Sequence, residues 1–351
     1  MADAPQSRYA DKVEPIPVAG STDGYDEGRI SLGRQLLRPR TIVSFLVALA
    51  IIVYVVSRQD IQFAQVWANM RNADPILYLL AFAAYYSTFY IRTVRWKQVL
   101  RNAVYSDDTE HKIPSTPRLT RIIMLSWFAN SILPAKLGDG YRGYLLKRAS
   151  GVSFYRTMGS IIAERIADVG VLFTLLLASG LIAFNDRFPP GFGTLVAFGA
   201  GLAALSLGGL FFLRFLSPYV TAVIPQRIRP NYVRLEHGVL MAFSNRLWEI
   251  ILLTAVVWGL ESARFWFVSA SLGYALDISL VVFVALAASL LTTVPFTPAG
   301  LGVVEGAVVA ALMLVIDDKS VALSIALLDR IITYWSIVLI GAVLYVFNHD
   351  K

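Results

Sequence analysis

Cysteine is absent from all 351 residues, which excludes disulfides and thiolate metal sites. Histidine is nearly so: His111, His237 and His349 stand far apart in polar stretches, and no metal is expected. Charge is scarce, with Asp, Glu, Lys and Arg at 16% of the chain against 56% hydrophobic residues. At a mean hydropathy of +0.61 the polar surface is too small to cover a water-soluble core, and the chain reads as membrane-embedded. Enzyme signatures are missing too. The apolar segments hold no Ser-His-Asp set, phosphate-binding Gly loop or His-rich cluster, so neither catalysis nor a cofactor is expected. The first apolar run begins only near Thr41, so no signal peptide is read. Residues 1–28, rich in Pro, Gly, Ser, Asp and Glu, read as disordered, within a cytoplasmic tail over 1–38.

What remains is a succession of apolar runs, at about 41–57, 75–94, 119–134, 158–184, 193–216, 247–271, 279–295, 300–316 and 321–347. At about 20 residues per spanning helix they fill the chain from 39 to 348 and leave no room for a separate soluble catalytic domain. The formal charge of +7 is not a nucleic-acid signal, because Lys and Arg cluster in short loops beside the apolar runs. That placement marks cytoplasmic loops, with attraction to anionic lipid as a secondary effect.

Orientation follows from the same loops. Arg29, Arg34, Arg38 and Arg40 put the N-terminus in the cytoplasm of a cell membrane. Lys97, Arg101, Lys112, Arg118 and Arg121 put the loop after the second run there too. If 119–134 crossed fully, Lys136, Arg142, Lys147, Arg148 and Arg156 would lie outside. The charge rule therefore predicts that 119–149 is a hairpin that enters from the cytoplasm and returns, turning over 133–138. Runs 158–184 and 193–216 then leave and come back, delivering Arg214, Arg227, Arg229, Arg234 and Arg246 to a cytoplasmic loop. Run 247–271 goes out, 279–316 forms a second hairpin entering from outside, and 321–347 returns the C-terminus to the cytoplasm.

The two halves correspond. Pro134 matches Pro295, Gly138 matches Gly302, Glu164-Arg165-Ile166 matches Asp329-Arg330-Ile331, and Arg95-Trp96 roughly matches Arg264-Phe265-Trp266, at separations of 161 to 169 residues. Each half reads as a span ending near an Arg and an aromatic, a Pro/Gly-broken hairpin, and a span with an acid–Arg pair. The expected fold is an all-α, polytopic membrane protein of about six spanning helices plus two re-entrant helical hairpins. It comprises two inverted repeats, about 39–190 and 191–348. Broken helices at corresponding places in inverted repeats point to a transporter core with its site near the midplane.

Six acids fall in or beside the apolar runs: Asp139, Glu164, Asp168, Glu261, Glu305 and Asp329. Arginines accompany them: Arg92 or Arg95, Arg142, Arg165, Arg264 and Arg330. Charges in hydrocarbon must be paired or hydrated, so they should face the bundle interior or a cavity. Glu164 and Asp168, four apart, share a helix face, so an Arg lies between them or one is protonated. One reading makes all of these packing ion pairs; Arg95 and Arg264 are assigned to snorkelling or packing. The other gives Arg142, Glu164, Arg165, Glu305 and Arg330 to a functional cavity, because they flank the breaks at Pro134, Gly138, Pro295, Pro298, Gly300 and Gly302. Backbone freed there needs protein or water to satisfy it, and helix N-termini would offer N–H groups to a phosphate. Aromatic clusters at Tyr85, Tyr86, Phe89 and Tyr90 and at Tyr334 and Trp335 read as core or interfacial belt.

These motifs carry a resemblance. Asn130-Ser131-Ile132-Leu133-Pro134 with Gly138-Asp139 and Arg142-Gly143-Tyr144-Leu145-Leu146, Glu164-Arg165-Ile166-Ala167-Asp168, residues 294–306 and Asp329-Arg330 with Tyr334-Trp335 stand in the order of a known signature. The chain after about residue 38 resembles the lysylphosphatidylglycerol synthase transmembrane, or flippase-like, family, to which UPF0104-type membrane proteins are similar. Asp139 stands where that pattern more usually has Glu, and Ala299 where it usually has a second Gly. The resemblance implies a lipid translocase like the flippase half of the multiple peptide resistance factor. No counterpart of the synthase's aminoacyl-transferase domain is expected, nor is synthase activity. The expected function is flipping of a phospholipid or lipid-linked glycan, its headgroup held by Asp139, Arg142, Glu164, Arg165, Asp168, Glu305, Asp329 and Arg330. The alternative is a non-transporting subunit that scaffolds a lipid or glycan synthase. Partners would be the lipid and either a second copy or that synthase, with no nucleic acid.

Overall fold

A computed structural model describes residues 62–106, 111–133, 136–185, 188–292 and 300–348. The expected first span at 41–57, the N-terminal tail, Pro134, Pro295, Pro298 and the chain ends lie outside the described residues.

Among the described residues the secondary structure is all helical. Helix α1 covers Phe63–Arg71 and α2 Pro75–Ala103. The start of α2 follows from two residues: Asp74 accepts from the N–H groups of Ile76 and Leu77, and Pro75 sits where no N–H is needed. Next come α3, Thr116–Ile132, and α4, Leu137–Ser150. The long α5, Phe154–Phe184, is capped by Ser153 and followed by α6, Phe192–Phe215. Two helices, α7 at Ser217–Val223 and α8 at Arg229–Ala242, lead to α9, Leu247–Ser271. The chain closes with α10, Ile278–Leu291, α11, Val303–Leu312, α12, Lys319–Arg330, a π turn at Ile331–Trp335, and α13, Ser336–Asn348.

The multi-pass helical expectation holds in its coarser form. Among the described residues four helices are long and apolar enough to cross a bilayer: α5, α6, α9 and the continuous α12–α13. Helix α2 has the length, at 29 residues, but carries Arg92 and Arg95 in its buried face. Four further helices are short. At 17, 14, 14 and 10 residues, α3, α4, α10 and α11 reach only about 15–26 Å at 1.5 Å per residue, less than the ~30 Å hydrocarbon thickness. They pair as α3 with α4 and α10 with α11.

Helices α2 and α9 pack on each other at the centre, and α5 touches α2, α4, α6, α8, α9 and α10. Outward, α6 buries only Gly199, so its Leu205, Leu207, Phe211 and Phe215 present an apolar surface suited to lipid. The sequence reading left 217–246 as a loop; α8 is found inside it, packed tightly against α5. Glycines explain the fit. A Cβ on Gly159 would stand 2.3 Å from the Leu235 carbonyl oxygen, and one on Gly238 2.4 Å from that of Arg156. This crossing is made by backbone contact, and α8 is too polar to give an apolar run.

Candidate functional site

The hairpin α3–α4 fixes the first part of the site. Ser126 Oγ donates to the Gly138 carbonyl at 2.8 Å, and the Gly138 N–H donates to Asn130 Oδ1 at 2.8 Å. A Cβ at Gly138 would fall 2.1 Å from the Ser126 carbonyl oxygen, so only glycine permits this approach. The turn itself uses Lys136, which adopts a left-handed φ of 53°. Asn130 Nδ2 then holds Asp139 at 3.2 Å, and Asp139 receives a two-pronged Arg165 from α5, at 3.1 and 2.8 Å.

Behind this pair, Arg95 of α2 lies between the two acids of α5. Its Nε is 3.3 Å from Glu164 Oε1, while NH1 donates to Asp168 and, at 2.8 Å, to Thr254 Oγ1 of α9. The repulsion expected between Glu164 and Asp168 is thus relieved by a guanidinium. Arg142 reaches the other Glu164 oxygen at 2.7 Å, with its guanidinium carbon 3.7 Å from the centroid of the Trp96 ring.

The second half uses corresponding pairs. Arg330 of α12 donates to Glu305 near the start of α11 at 2.8 Å, as Arg165 does to Asp139 near the start of α4. Arg264 of α9 pairs with Asp329 of α12, as Arg95 of α2 pairs with Glu164 of α5. Arg264 also meets Glu261 at 3.3 Å, and Arg92 meets the other Glu261 oxygen at 3.2 Å. Arg95 and Arg264 do not snorkel. They are 2% and 4% exposed and buried in the bundle, where two acids of α5 meet Arg95, and Glu261 of α9 and Asp329 of α12 meet Arg264.

A cavity of about 390 Å³ opens between the halves. Of the expected site residues, Asp139, Arg165, Asp168, Asp329 and Arg330 line it. Arg142, Glu164 and Glu305 do not; they stand behind and hold the lining arginines or their partners. The reading of the sequence missed Lys136 and the indoles of Trp127 and Trp258 as cavity residues, and it left Arg92, Glu261 and Arg264, named as interior charges, out of the headgroup site; all of them line the cavity. Glu261 and Arg92 carried a signal, as charges inside apolar runs; Lys136 was read only as part of a turn. Of the arginines paired around the cavity Arg165 is the most open, with 36% of its side chain exposed.

The helix breaks behave differently from one another. Gly300 and Gly302 take left-handed φ values of 71° and 84°, whereas Gly138 lies inside α4 and is required for space. The N–H groups expected to meet a phosphate are engaged at two places: Gly138 by Asn130, and Gly302 by Glu305 Oε2 at 2.7 Å. Among the aromatics, Tyr85 and Phe89 are core, Tyr90 and Trp335 are exposed, and Tyr85 additionally lines the cavity.

Chemically, the cavity is a charged chamber walled by apolar helices. It has room for a polar group that its charged side chains can meet.

A family model described as the lysylphosphatidylglycerol synthase TM region matches residues 41–341. A UPF0104 membrane protein of Methanocaldococcus jannaschii is 34% identical over 218 residues, covering 62% of this chain and 93% of that protein. A second, from Methanothermobacter thermautotrophicus, is 23% identical over 328 residues, 86% of this chain and 92% of that protein. The glycosyltransferase AglD of Haloferax volcanii is 24% identical over 318 residues, which are 79% of this chain but 49% of AglD.

Proposed function

The chain belongs to the lysylphosphatidylglycerol synthase TM-region family, and from that premise we propose that it flips a phospholipid or lipid-linked glycan across the membrane. The observation that carries this is the placement of Arg165 and Arg330, equivalent residues of the two halves, in one cavity between apolar helices. Guanidinium forks suit a phosphate, and Asp139 beside Arg165 and Glu305 beside Arg330 keep each fork oriented before the ligand arrives. The acyl or prenyl chains would remain in the bilayer beside lipid-facing surfaces such as α6.

The halves are read as inverted repeats, each with a short hairpin that contributes residues to the cavity. Exchange of access between two sides of such a site is the way repeat-built transporters work. Reconstituted vesicles test the reading. Arg165→Lys and Arg330→Lys should each lose most lipid translocation while the protein purifies normally, because an ammonium cannot reproduce the fork. Near-normal translocation in both would remove these arginines as the headgroup clamp.

A second reading has its own support. The match to AglD covers about half of a protein named a glycosyltransferase. On that reading this chain type scaffolds a lipid or glycan synthase without transporting. Wild-type vesicles with no translocation above protein-free controls would favour it.

A further inference from the structure

The charges around the cavity do not cancel, and the remainder is one. Six guanidiniums (Arg92, Arg95, Arg142, Arg165, Arg264 and Arg330) are each within an ion pair, and the six carboxylates described above are all used in pairing them. Lys136 lines the same cavity and makes no ion pair or hydrogen bond among the described residues. Its ammonium is therefore the net charge of the site. Two further donors have no acceptor: Trp258 Nε1, on a residue 8% exposed, and Arg92 Nε, on a residue 5% exposed. Both residues line the cavity. Donors without acceptors, together with one uncompensated positive charge, describe the complement of a single anion rich in oxygen.

We propose that this site selects a headgroup carrying one net negative charge, a lipid phosphodiester, over zwitterionic and diphosphate headgroups. The inference rests on the translocation reading above and names its substrate class. In a low-dielectric chamber a zwitterion leaves Lys136 uncompensated, and a diphosphate brings at least one charge too many. Either mismatch is expensive where water is scarce. A monoanion neutralises the site, and its oxygens can accept from Lys136, Trp258 and Arg92.

The test is binding to the purified full chain in detergent, followed by tryptophan fluorescence, since Trp127 and Trp258 line the cavity. The probes are dioctanoyl phosphatidylglycerol, dioctanoyl phosphatidylcholine, farnesyl diphosphate and dimethyl phosphate. Phosphatidylglycerol should bind roughly tenfold or more tighter than phosphatidylcholine and farnesyl diphosphate, a unit charge being left unmatched in each of the latter. Lys136→Gln should erase most of the preference over phosphatidylcholine, and Lys136→Arg should keep it. Asp139→Asn raises the site charge by one and should move the preference toward farnesyl diphosphate.

Equal wild-type affinity for phosphatidylglycerol and phosphatidylcholine would overturn the proposal. So would an unaltered preference in both Lys136→Gln and Asp139→Asn. Dimethyl phosphate binding as tightly as phosphatidylglycerol would assign the site to a soluble phosphodiester and overturn the lipid it names. Failure of translocation with the charge preference intact would instead sink the proposed function alone.

Discussion

Arg95 has two carboxylates and a hydroxyl within reach, from α5 and α9, and is almost fully buried. Its removal is not equivalent to removing a surface charge. Arg95→Leu would leave Glu164 with Arg142 alone and Asp168 with a distant Arg165, 3.8 Å away. Loss of one partner in a buried ion pair costs about 3–5 kcal/mol, so this variant should melt well below wild type in detergent. Arg264→Leu should do the same through Asp329 and Glu261. The double variant Arg95→Leu/Asp168→Leu should recover part of the loss, since fewer charges remain unpaired. A melting temperature for Arg95→Leu within error of wild type would show that water, not protein, solvates these acids.

Glycine decides two elements, for reasons of space. At the α5–α8 crossing, Gly238→Val forces a side chain into the Arg156 backbone, which cannot rotate away. Overpacking of this kind costs about 1–3 kcal/mol, and against backbone the upper end is expected. Thermal melting should fall, and protease sites in 217–246 should open. In the first hairpin two of the glycines of α4 separate packing from propensity. Gly138→Ala should open the α3–α4 turn and abolish headgroup binding, whereas Gly140→Ala, with nothing within 4 Å of its added carbon, should be silent. Equal effects of the two would mean that helix propensity, not the Ser126 contact, governs the hairpin. The π turn after Arg330 is a third device. It places Thr333 on the cavity wall, and Tyr85 Oη takes up the Thr333 carbonyl at 3.2 Å.

For the whole molecule, the loop charges and the short hairpins lead to one topology. Single cysteines at the exposed Arg148 and Arg227 should react with impermeant reagent only from the cytoplasm, and one at the exposed Asp277 only from outside. The chain has no native cysteine to confuse the labelling. Labelling of position 148 from outside would mean that 119–149 crosses the membrane, and the opposite orientation of the halves would fall with it.

The sequence by itself determined the class, the places of the apolar helices and the inventory of buried charge. The run at 247–271 reappears as Leu247–Ser271, and the acids and arginines singled out for lying among apolar residues are the ones found paired. These features are legible because a bilayer penalises each residue locally, so apolar length and stray charge show without knowledge of neighbours. Which charges meet was left to the tertiary structure. Arg95 joins acids 69 and 73 residues away, and Arg92 joins one 169 residues away. Such partners are set by how α2, α5 and α9 cross, a property of shape and not of any segment. The same holds for Lys136, whose role as the unmatched cation appears only after every arginine has found its acid.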